Sequence, residues 1–163
     1  MESGRWSENA ALLEATFPLC RNKTSAEYAI LVSLRGCAEL ERGNTAEAIG
    51  DMEEALRIRR DIYPEEHIEI ANSLGNYANA TLQSWTEGSL QKALALFKQA
   101  LEINQAVARD NPEEGQDMLF LRHINMARVS RIARRYDDAF YHIEESKKYS
   151  IALFGPRSHF EAS

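Results

Sequence analysis

Only four prolines, eight glycines and two cysteines occur in 163 residues. With so few breakers, and no alternating Val/Ile/Thr run long enough for a sheet, the chain reads as helical. Apolar residues make up 44% of it, yet no run approaches the ~20 consecutive apolar residues of a membrane span. The opening MESGRWSENA has neither a basic start nor an apolar core, unlike a signal peptide. A net charge of −6 argues against general nucleic-acid binding, which needs a basic footprint. The expectation is a cytoplasmic protein with no nucleic-acid and no membrane partner. Cys20 and Cys37 form no CxxC pair. They read as reduced thiols, with Cys37 buried on a packed helix.

Chemical motifs are missing too. There is no GxxxxGKS/T phosphate loop, no GxGxxG and no GxSxG elbow. His67, His123, His142 and His159 stand at no metal-ligand spacing. His123 and His142 read as packing or surface residues. Acid pairs such as Glu53-Glu54 and Asp137-Asp138 fall on exposed faces or first turns. No catalytic residue, cofactor or metal is expected, and the protein reads as non-enzymatic.

What the chain does have is one small pattern three times over. It runs Gly36, Gly43, Ala48, Met52, Ala55; then Ala78, Gly88, Ala93, Phe97, Ala100; then Ala127, Arg134, Ala139, Ile143, Ser146. Each copy places a small residue on one helix, a turn, then small–large–small at i, i+4, i+7 on the next. Small residues let two helix backbones approach, and the large one fills the gap. A fixed period of this kind marks stacked helix–turn–helix units.

Local signals place the helices. Residues 5–17 form an amphipathic stretch stopped by Pro18. Thr24 with Glu27 offers a capping box for a helix to about Arg42. Asn44 caps a helix that Pro64 ends, and the next begins near Glu65 and reaches about Leu82. Ser89 opens a helix to about Arg109. Asn111-Pro112 opens one to about Arg134. A last one spans about 137–154, ended by Gly155-Pro156. The count is seven helices and the first turn of an eighth. Trp6, Tyr77, Phe97, Tyr136 and Phe140 read as core or turn residues. Trp85 lies in an insertion, folded back or exposed.

The stretch ALRIRRDIYPEEHIEIANSLGNYA, residues 55–78, resembles the long-helix tetratricopeptide repeats of kinesin light chains. It also resembles the arrays of NB-ARC-type signalling ATPases. Ala55, Leu56, Ile58, Arg59, His67, Ala71, Leu74, Asn76 and Ala78 carry the likeness; Ile68 replaces the usual proline. Asn125-Met126-Ala127 repeats the Asn-x-Ala element.

The resemblance implies an all-α, right-handed superhelical stack of antiparallel helix pairs. In this chain it would form one domain over 1–163. A partial repeat covers 4–22, repeats cover about 24–63, 65–109 and 112–154, and a further repeat starts at 156–163. The ends read as a segment of a longer array.

The resemblance also implies function. The first helix of each pair lines a concave groove that binds a protein or peptide. Arg128 and Arg131 share a helix face with Arg135. By family register, Arg128 and Arg131 face that groove beside Asn72, Asn76 and Asn79. Guanidinium and carboxamide groups suit an acidic, extended peptide. Alternatively, these arginines pair with Glu144, Glu145 or other acids as a solvated surface. The family's clamp for chaperone tails needs Lys and Asn where Ser33 and Cys37 stand, which counts against that ligand. Self-association through uncapped ends is a further expectation. The alternative function is a sensor or autoinhibitory repeat region of a larger NB-ARC-type ATPase.

Overall fold

The computed structural model describes residues 12, 13 and 15–154, with the backbone alone for 113–117 and 154. A 3-10 turn at Phe17–Leu19 precedes six α-helices: α1 (Ala26–Arg42), α2 (Thr45–Ile62), α3 (Ile68–Gln83), α4 (Ser89–Asp110), α5 (Pro112–Ile132) and α6 (Tyr136–Phe154). No strand occurs among the described residues. Each helix packs against the next in the chain, and α1 also meets α3. The result is an all-α stack of helix pairs, α1/α2, α3/α4 and α5/α6.

The repeated small residues are where the backbones approach. Ala48, Ala55, Ala93, Ala100, Ala127 and Ala139 are all buried. At Gly36 a Cβ would meet Met52 Cε at 2.9 Å and Asp51 Cβ at 3.0 Å. The large members Met52 and Phe97 are each 1% exposed within the core that α2, α3, α4 and α5 share.

The three turn residues of the pattern share one backbone state. Gly43 has φ 84°, Gly88 φ 77° and Arg134 φ 59°. All lie in the left-handed region, which glycine enters freely and other residues enter at a cost. The third copy keeps the turn without the glycine.

Several local expectations are corrected. Ser25, not Thr24, caps α1: its side chain accepts from the Tyr28 amide, while Thr24 bonds to Asn22. Asn44 makes no side-chain cap; its amide donates to Glu39 at 2.6 Å. Asn111 makes no side-chain cap of α5 either. The third helix starts at Ile68, capped by His67 Nδ1, rather than near Glu65. Tyr77 and Phe97 are core residues, but Tyr136 and Phe140 are exposed. Trp85 is exposed at a positive φ of 50°. Of the expected helix over 5–17, Leu12, Leu13, Ala15 and Thr16 are helical. Phe17 opens the 3-10 turn; residues 5–11 and 14, including Trp6, lie outside the described residues, as does the start of a further repeat at 156–163.

Candidate functional site

The first helices of the three pairs, α1, α3 and α5, border a groove of about 410 Å³. α1 contributes Cys37 and Glu41, α3 contributes Asn76, Asn79 and Gln83, and α5 contributes Arg128. Helical spacing explains the set. Asn76 and Asn79 stand three apart on α3, as do Cys37 and Leu40 on α1, so each of these helices turns one narrow stripe to the cleft.

Cys37, Asn79 and Arg128 hold the same register position in the three pairs. Each follows the small residue of its copy, Gly36, Ala78 or Ala127. The Arg128 guanidinium donates to Asn79 Oδ1 across the groove wall. It also lies 5.9 Å from the Phe97 ring centroid. Arg128 itself is exposed, so a fixed cation faces the cleft with donors left over. Glu41 supplies the opposite charge on the α1 side.

The structure therefore brings Asn76, Asn79 and Arg128 together. It separates the other two expected residues. Asn72 accepts from Arg122 Nη2 at 2.6 Å and is engaged between helices. Arg131 is exposed but does not line the groove. The alternative of arginines paired with surface acids holds for Arg135, which takes the neighbouring Asp138, but not through Glu144 or Glu145. Lys147 takes Glu144 at 2.6 Å, Lys148 takes Glu145, and Arg135 takes Asp138 at 2.6 Å.

Cys37 is exposed rather than buried. Its thiol faces the groove, where partial burial and the Glu41 carboxylate hold its pKa above the ordinary value. That favours the unreactive thiol. No cluster of three or more metal-ligating side chains occurs among the described residues.

Sequence reasoning missed the contacts beneath the groove. Arg122 is buried, with Nε on Asn104 Oδ1 at 2.8 Å. Burial pushes its pKa down to about 10. Its Nη1 lies 2.6 Å from where a Gly75 Cβ would stand. The missed signal was a glycine inside a helix pattern, which marks close approach of another group. Tyr77 donates to Glu53, and Lys92 sits over the Tyr77 ring at 4.6 Å. Burial and the Glu53 bond raise the phenol pKa.

Residues 27–106 match the tetratricopeptide repeat family. The match covers α1 to α4, and the third helix pair continues the same stack beyond it. Among solved structures, BtubC (BKLC) from P. vanneervenii is similar at 18% identity. The alignment covers 99% of this chain and 80% of that one, with a TM-score of 0.44. Curated proteins give no match. No helix among the described residues is long and apolar enough to cross a membrane.

Proposed function

We propose that this protein is a non-enzymatic, cytoplasmic binding scaffold whose groove takes an extended peptide segment of a partner protein. The observation that carries the reading is Arg128, held by Asn79 and facing the cleft beside Asn76. A guanidinium already fixed by the fold loses little freedom when a ligand carboxylate arrives. Asn76 and Gln83 offer donors and acceptors to a peptide backbone. Glu41 on the opposite wall favours a basic or neutral residue at that end, so the preferred ligand is acidic near α5 and not near α1. Asn72 and Arg131 contribute at the margin.

The test uses two libraries of extended peptides, one acidic towards one end and one with the charges reversed. Selective retention of the acidic library by the full chain supports the reading. Equal retention of both, or of neither, refutes it.

A sensor role in a larger signalling ATPase would use the same groove against a segment of its own chain. Self-association would use the outer face of α6. There Ile143 is 42% exposed, although its counterparts Met52 and Phe97 are each 1% exposed.

A further inference from the structure

The third helix pair carries a titratable contact that the groove does not use. His123 on α5 and His142 on α6 meet with Nδ1···Nδ1 at 2.9 Å. Both are buried, at 1% and 8% exposure. By register, His123 stands where Val32 and Leu74 stand in the first two pairs. His142 stands where Asp51 and Leu96 stand. The second pair thus packs leucine at both positions, and the third packs imidazole at both.

We propose that the His123–His142 contact is a proton-operated latch that holds α5 against α6 when neutral and releases this helix pair on acidification.

The chemistry is set by the contact. With both rings neutral, one carries its proton on Nδ1 and the other accepts there with its proton on Nε2. One added proton can still leave a donor facing an acceptor. A second places two N–H groups and two positive charges nose to nose in a desolvated site. Neither ring can turn freely. Tyr149 stacks on His123 with centroids 5.5 Å apart, and Tyr141 lies edge-on to His142 at 5.1 Å.

The surroundings offset that charge only in part. On α6, Glu145 favours protonation of both rings and Asp138 that of His142, while Lys148 opposes it at His123. Lys148 already holds Glu145. Tyr141 and Tyr149 are the remaining titratable groups against the pair. On α5, the neighbouring Arg122 is engaged with Asn72 and Asn104 instead. No charged group of α4 among the described residues acts on either imidazole. Burial, then the partner ring, pushes His123 down to about 4 from its ordinary 6.5. Burial likewise lowers His142.

The sign is that of a base with a depressed folded-state pKa. Its unfolded form binds the extra proton first, so stability is complete above the ordinary 6.5 and falls as pH drops towards about 4. Among the described helices α6 packs on α5 while α1 to α4 pack on one another, so release of α6 need not unfold α1 to α4. Release would loosen α5, which carries Arg128, but it can be detected without any ligand.

The test compares the full chain with its His123→Leu/His142→Leu form, which restores the leucine pair of the second repeat. Between about pH 7 and pH 5, the unfolding constant of the wild type should rise at least about tenfold more than that of the variant. Hydrogen exchange at the acidic end should show α5 and α6 amides opening before those of α1 to α4. Nuclear magnetic resonance of the wild type alone should find both imidazoles titrating below the ordinary histidine range. Parallel pH profiles overturn the latch. So does simultaneous loss of protection along the whole stack, or an ordinary titration of either ring.

Discussion

Arg122 holds, at the boundary between the second and third helix pairs, the position of Arg59 between the first and second, but it comes from the opposite helix. Arg59 on α2 donates forward to Ser73 on α3 at 2.8 Å, and Arg122 on α5 donates back to Asn104 on α4 at 2.8 Å. Ser73 and Arg122 are register equivalents, as are Arg59 and Asn104. Each boundary holds one guanidinium, and the space it needs comes from a small residue, Ser33 in one case and Gly75 in the other. The difference lies in charge. Arg59 has Glu69 at 3.2 Å, while Arg122 has no carboxylate within ion-pair distance among the described residues.

Replacing Arg122 should therefore act mainly through what it leaves behind. Arg122→Met leaves the fully buried Asn104 without the donor to its oxygen, and its Nδ2 already lacks a partner among the described residues. The expected loss is about 1–3 kcal/mol. Arg122→Met with Asn104→Leu removes both polar groups and should recover most of it, since an apolar pair can replace a buried polar one. Urea unfolding measures both. A double variant no better than the single one would show that the guanidinium contributes beyond its own desolvation.

Arg134→Gly should stabilise the chain by about 1 kcal/mol, because it removes a left-handed non-glycine residue. Gly43→Ala should cost a similar amount. No heavy atom lies within 4 Å of a Cβ at Gly43, so any loss there is backbone strain alone. Thermal unfolding of the two variants decides it, with shifts of opposite sign expected.

Two other glycines separate packing from propensity. Gly36→Ala pushes a methyl group into Met52 and Asp51 and should cost about 1–3 kcal/mol. Gly50, inside α2, faces open space, so Gly50→Ala should gain about 0.5–1 kcal/mol from helix propensity. If Gly36→Ala is neutral in denaturant unfolding, α1 and α2 do not approach as closely as the structure has them.

Much of this architecture was legible because its signals are local and repeated. Small–large–small spacing located the interfaces, and Pro64, Gly88 and Pro112 marked boundaries. Caps were less legible, since Thr24 and Ser25 are chemically equivalent candidates and only tertiary placement chooses between them. Phe140 and Tyr136 misled because exposure on α6 depends on which helices pack against it, not on its own pattern. In the groove, Asn76, Asn79 and Arg128 were readable from register. Asn72 was not, because its competitor Arg122 lies 50 positions away in the chain. The His123–His142 contact was written in the register against Leu74 and Leu96, but the 19-residue separation hides it from a search for ligand spacing.

The central claim is a groove whose affinity rests on Arg128. The direct measurement is fluorescence anisotropy of the tightest acidic library peptide against wild type, Arg128→Glu and Arg131→Glu, with circular dichroism confirming equal helicity. Arg128→Glu should weaken binding by about 2–5 kcal/mol, Arg131→Glu by less, and added salt should weaken the wild-type complex. Unchanged affinity in Arg128→Glu, at intact helicity, would contradict the account.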